Sequence, residues 1–290
     1  MWFSLALLCA LLVGIGDVFS KLALQKSNEK IVGLARLLYA LPILGLAAWA
    51  KGIPTLSPPF WFTLLGMLPF ELSAFLLYLR AIRVAPLSLT VPFLALTPVF
   101  TIVTSWILLG ERVSFAGAVG ILAVTTGVYL IHMETVSKGW SAPLVSIFRE
   151  RGTRFMVLSA FLYSIASNLG KRAILLSSPV AFAFFYQLID AFVLSLLAWW
   201  ESWSLRHMGN ELLLQWKLYL ALGSVMACAL LTHAVGISIS PVPYFIAIKR
   251  TSLLVGVISG GLFFKEERIL QRLLGAAFMV VGVGLIAFSP

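Results

Sequence analysis

The sequence predicts an all-α integral membrane protein in which ten transmembrane helices form two inverted five-helix repeats, and three observations predict it. Hydrophobic residues make up 61% of the 290 and charged residues only 11%, a balance that excludes an ordinary soluble domain. Ten apolar stretches can be marked, at about 2–19, 31–50, 60–79, 84–109, 113–131, 155–176, 179–200, 212–239, 241–264 and 269–288. Each has roughly the 20 residues that a helix needs to cross the hydrocarbon core. The third observation is a duplication: Leu109 to Ile131 and Phe264 to Ile286 are one segment written twice, 155 residues apart.

In register, Glu111 falls on Glu266, Gly120 on Gly275, Gly127 on Gly282 and, upstream, Pro86 on Pro241. The first two spans of each half align at an offset of 150, which sets Lys21 on Lys171. Beyond a five-residue insertion, Trp61 meets Trp216 and Tyr78 meets His233. The repeat therefore covers residues 1–131 and 155–290, five helices each, with a loop at 132–154 between them. An odd number of spans forces the second half to enter the membrane from the opposite side, which makes the repeat inverted about an axis in the membrane plane.

Taken in order, the first span lacks the basic n-region and small-residue cleavage site of a signal peptide and reads as a membrane helix. The second carries Arg36, the third Glu71 and Tyr78, the seventh Asp190, the eighth His233, and the ninth the adjacent Lys249 and Arg250. In the fifth span Gly120 and Gly127 lie seven residues apart, close to two helical turns, so they share a face that lets a neighbouring helix approach. The fifth and tenth spans are read as packing or dimer-facing elements. Glu111 and Glu266 sit at helix junctions, where a carboxylate favours the positive end of the following helix. The loop at 132–154 sets Trp140, Leu144, Ile147 and Phe148 among Arg149, Glu150 and Arg151, as a short interfacial helix would. Cys9 and Cys228 lie inside predicted spans and read as small packing residues.

A net charge of +10 could point to nucleic acid, yet the basic residues are scattered over short loops with no recognition motif. Membrane topology explains them better. In or beside the loops opposite the N-terminus lie 14 Lys and Arg, against 4 on the N-terminal side, so the positive-inside rule places both termini outside.

A charge at the centre of a membrane helix costs roughly 2.5 to 3.5 kcal/mol on insertion scales and is kept only with a partner, a wet cavity or a substrate. Through the repeat, Glu71 meets Met226, Asp190 meets Ala40, Lys249 meets Leu94, Arg250 meets Ala95 and Arg36 meets Tyr186. None has a counterpart that is charged at neutral pH, so these charges read as additions to a duplicated frame. Glu71 or Asp190 could simply neutralise a basic neighbour. Adjacent helix positions point about 100° apart, so Lys249 and Arg250 cannot easily share one carboxylate, and at least one is expected to face a cavity. A guanidinium and an ammonium together suit an anionic group. His233, on the position of Tyr78, could titrate or be a satisfied core residue.

The stretches LYLRAIRVAPLSLTVPFLALTPVFTIVTSWILLGERVSFAGAVGILAVTTGVYLI and ISISPVPYFIAIKRTSLLVGVISGGLFFKEERILQRLLGAAFMVVGVGLI resemble the drug/metabolite transporter superfamily, specifically its ten-helix EamA-type members. The resemblance covers nearly the whole chain and implies two EamA-type repeats, a central cavity and alternating access. IAIKRTS is similar to the Lys-Arg pair in the ninth helix of the sugar-phosphate and nucleotide-sugar branches, where it meets a phosphate. Only Lys249 and Arg250 carry over, because the fourth span has no lysine.

The expected function is secondary transport of a small organic metabolite bearing an anionic group, such as an amino acid, organic acid or sugar phosphate. Lys249, Arg250 and Arg36, with His233 and Tyr78, are its candidate binding residues, and Glu71 and Asp190 are candidates for coupling or charge pairing. The partners expected are an anionic or zwitterionic metabolite, protons as a candidate co-substrate and membrane lipids, with no nucleic acid. The protein is expected as a monomer or homodimer in a bacterial or archaeal cytoplasmic membrane. A flippase for a phosphate-linked lipid would use the same cations, and a non-transporting receptor or assembly protein would need no midplane cavity. No P-loop, HExxH, CxxC or GxSxG is present, so neither ATP-driven work nor enzymatic activity is expected, and no cofactor or metal.

Overall fold

A computed structural model of the chain describes residues 1–27, 29–84, 91–132, 150–200, 205–252, 254–255 and 269–288. Pro86, Glu266 and most of the 132–154 loop, with its expected interfacial helix, lie outside the described residues. Among the described residues the protein is all helical, without strands. Five helices are long and apolar enough to cross a membrane: Trp2–Leu24, Ile31–Lys51 counted across its turn, Pro58–Tyr78, Pro179–Leu196 and Trp216–Ser238.

Helix α1 (Trp2–Leu24) is uninterrupted. The second expected span is two helices, α2 (Glu29–Leu38) and α3 (Leu41–Lys51). Pro42 in the first turn of α3 explains the break, since it has no N–H to bond back four residues and its ring clashes with that carbonyl. Helix α4 (Pro58–Val84) extends past the expected 60–79. The fourth expected span begins as a 3-10 turn, Val91–Leu96, and becomes α5 (Thr97–Leu109) where Pro98 supplies the first helical turn. Then follow α6 (Phe115–His132), α7 (Arg151–Leu175) and α8 (Pro179–Trp200). The chain continues through α9 (Leu205–Leu214) and α10 (Trp216–Ser238) to α11 (Val242–Lys249) and α12 (Ile269–Ala287). Helix α9 occupies residues expected mostly as loop. Its Leu212 packs on Leu34, and Tyr39 donates to the Leu212 carbonyl at 3.0 Å.

The packing is reciprocal. Helix α1 lies against α10 and α4 against α7, while α1 also touches α11 and α5 touches α7. The sequence repeat maps α1 onto α7, α4 onto α10 and α5 onto α11, so it converts each of these contacts into another observed one. Helices α2 and α3 meet α8, and α6 meets α12; these are contacts between equivalents. At the first, Gln187 Nε2 donates to the Leu37 carbonyl at 3.1 Å, joining two positions 150 residues apart that the repeat equates. At the second, a Cβ on Gly120 would lie 2.8 Å from the Gly282 carbonyl oxygen and one on Gly127 2.5 Å from that of Gly275. The duplicated glycines are therefore where two backbones cross in contact.

Helix α7 is too polar to stand among the five apolar spans, and its surroundings say why. It lies between α4 and α5, where Ser159 donates to the Ala74 carbonyl at 2.7 Å and Asn168 donates to Thr104 Oγ1 at 2.9 Å. Buried polar groups inside a bundle need such partners. The inner helix can thus bring Lys171, buried at its far end, to the site.

Candidate functional site

A cavity of about 650 Å³ lies at the centre of the bundle. It is lined by α1, α2, α4, α5, α7, α8, α10 and α11, from both halves, and by no described residue of α6 or α12. Its cationic side is built by the end of α11. The helical run closes there with Arg250 N–H bonded to the Ile246 carbonyl at 3.2 Å, and Lys249 and Arg250 both line the cavity. Among the described residues no carboxylate lies within 4.0 Å of either. Arg250 Nη2 instead donates to Thr97 Oγ1 at 3.1 Å, across the two halves.

Glu71, from the middle of α4, accepts a short hydrogen bond from the Tyr186 hydroxyl of α8. Asp190 stands one helical turn beyond Tyr186 and faces the same phenol, but it is not part of the cavity lining. Arg36 lines the cavity and faces Asp17 of α1 at 4.0 Å. That separation is at the limit of an ion pair, with side chains 38% and 54% exposed, so it stabilises little. The rings of His233 and Phe245 meet in a T-shaped arrangement with centroids 5.2 Å apart, and the buried His233 Nδ1 has no partner among the described residues. Tyr78 lines the same space.

One end of the cavity is tied shut. Helix α5 ends at Gly110, whose φ of 70° is the left-handed conformation that glycine adopts without strain. Gly110 N–H bonds to the Trp106 carbonyl and Glu111 N–H to that of Ser105, and this turn delivers the Glu111 carboxylate to the second half. There Lys171 donates to Glu111 Oε1, and the Val242 N–H at the start of α11 donates to Oε2 at 2.8 Å. Lys171 also donates to the Ser240 carbonyl at 2.7 Å. Beside this knot the Ser114 N–H donates to the Tyr244 hydroxyl at 3.0 Å, and Trp2 stacks on Tyr244. The Lys171 and Glu111 side chains are 11% and 14% exposed. Along the lining, exposure rises from this end toward Asp17 and Arg36.

The structure thus gathers Lys249, Arg250, Arg36, His233, Tyr78 and Glu71 around one space and leaves Asp190 out of its lining. Among the described residues neither acidic residue of the centre pairs with a base within 4.0 Å; Glu71 pairs with a phenol. Sequence reasoning passed over Tyr186 and Thr97, whose hydroxyls look ordinary in apolar helices. The one signal for Tyr186 was its match to Arg36 in the repeat.

The family model described as the EamA-like transporter family matches residues 1–133 and 151–288. No curated protein matches the sequence. The fold is similar to that of a solved protein titled "Crystal structure of protein", with a TM-score of 0.74 and 17% identity over 98% of this chain and 94% of that one. An identity that low speaks for the fold alone.

Proposed function

The chain belongs to the EamA-like transporter family, a family of membrane transporters, and on that premise we propose that it moves a small organic metabolite with an anionic group by alternating access. The classes in view are an amino acid, an organic acid or a sugar phosphate. One observation carries this reading: two adjacent cations, Lys249 and Arg250, on the wall of a 650 Å³ cavity with no carboxylate of the described residues within ion-pair distance. Charges within a membrane span are costly without a counterion, and an incoming anion supplies the missing partner. The volume lies in the range of small-molecule sites.

In this reading ten helices cross the membrane as two inverted repeats, 1–131 and 155–290. The reciprocal contacts, and above all the Gln187 to Leu37 bond between equivalent positions, support a two-fold axis through the cavity. By the positive-inside rule the end tied by Glu111 and Lys171 faces outside, and the cavity faces the cytoplasm. Transport then requires the closed end to open and the other to shut, with cargo bound differently in the two states. Glu71 and Asp190, gathered on Tyr186, are the candidate coupling groups for protons.

The test is a thermal-stabilisation screen of purified protein against amino acids, organic acids and phosphorylated metabolites, with every hit repeated in Lys249→Ala and Arg250→Ala. Anionic hits that weaken at least tenfold in either variant are expected. Binding equal to wild type in both variants rules the anion site out.

A further inference from the structure

Arg250 is held in place by a group that carries no charge. Its Nη2 donates to Thr97 Oγ1 at 3.1 Å. Thr97 lies at the start of α5 in the first half and Arg250 after α11 in the second, so this bond joins the two halves of the chain. The Thr97 hydroxyl proton is already committed, donated to the Leu94 carbonyl at 2.7 Å. Its oxygen is therefore left as an acceptor only, and a cationic donor is the partner that suits it. Thr97 is buried and also lines the cavity, and the Arg250 Nε is enclosed without an acceptor among the described residues.

Resting on the reading of Arg250 as an anion-binding residue, we propose that Thr97 is its positioning residue: a neutral acceptor that fixes the guanidinium plane while leaving its charge for the cargo. A carboxylate in the same place would hold the side chain more firmly, but it would cancel the charge and compete with every anionic ligand. A guanidinium binds a carboxylate or phosphate well only when its planar fork is aligned, so orientation governs affinity here. The repeat fits the assignment. Thr97 falls on Ser252, a hydroxyl in both halves, whereas Arg250 falls on Ala95. The frame contains the acceptor twice and the cation once.

The full-length protein is labelled with [15Nε]arginine, and the Arg250 resonance is assigned through Arg250→Lys. Spectra of wild type, Thr97→Ser and Thr97→Val are compared, alone and titrated with succinate and with inorganic phosphate. Thr97→Ser is expected to keep the wild-type resonance and affinities. Thr97→Val is expected to shift or broaden it and to bind the anions at least fivefold more weakly, with folding checked by thermal melting. Thr97→Asp, which adds a competing charge, is expected to abolish the anion response while the protein still melts cooperatively. An unchanged Arg250 resonance and unchanged affinities in Thr97→Val overturn the positioning role. A wild-type Arg250 that responds to neither anion overturns the anion-site reading itself, which separates the two failures.

Discussion

Glu111→Gln tests the closed end of the cavity. The Glu111 carboxylate holds two contacts across the halves, one from Lys171 and one from the Val242 N–H at 2.8 Å. With both side chains less than 15% exposed, solvent screening takes away little of their strength. Hydrogen bonds to charged groups contribute about 1.5 to 3 kcal/mol each. The amide keeps one acceptor and loses the charge, so about 2 kcal/mol of closure is lost, roughly a 30-fold change in the ratio of closed to open ends. The assay uses a background of Cys9→Ala and Cys228→Ser with Ser167→Cys as reporter on the cavity wall, and labels it with a membrane-impermeant thiol reagent from the Glu111 side. The labelling rate is expected to rise at least tenfold in Glu111→Gln and similarly in Lys171→Gln. The double variant is expected to add little, because both changes break one knot. Equal labelling in wild type and Glu111→Gln, or fully additive effects, would refute the argument.

Three further outcomes follow from the packing and the site. Gly127→Val places a Cβ 2.5 Å from the Gly275 carbonyl oxygen, where backbone cannot yield, and is expected to cost about 3 kcal/mol as a lowered melting temperature. Gly284→Ala, with nothing within 4 Å of its Cβ, is expected to stay within about 0.5 kcal/mol of wild type. Tyr186→Phe removes the donor to Glu71 and is expected to cost about 1 to 3 kcal/mol in denaturant or thermal unfolding, whereas Glu71→Gln, which keeps a carbonyl acceptor, is expected to cost less.

The residues that announced the fold were those whose role is local or repeated. Gly120 and Gly127 declared a close crossing by their spacing, and their duplicates at Gly275 and Gly282 turned out to be the other side of it. The breaks at Pro42 and near Pro98 were less visible because apolar runs continue smoothly through them, and hydropathy does not register a lost N–H. Within the site, the unpaired charges pointed to Lys249, Arg250, Arg36 and Glu71, since a charge in an apolar run has few explanations. What they pair with was not legible. The Lys171 to Glu111 link joins residues 60 apart and the Tyr186 to Glu71 bond residues 115 apart, and such contacts depend on how helices stack. Thr97 was invisible for another reason: its hydroxyl bonds back to its own chain at Leu94, as threonines in many apolar helices do.

The most direct test of the central claim is flux. Proteoliposomes containing the wild type, Lys249→Ala or Arg250→Ala are loaded with radiolabelled anionic metabolites that bind in the screen, and exchange is followed with and without a pH gradient. Rapid exchange by the wild type, falling at least tenfold in both variants that remain folded, is the predicted result. Exchange at the wild-type rate in both variants, or no flux for any metabolite that binds, would contradict it.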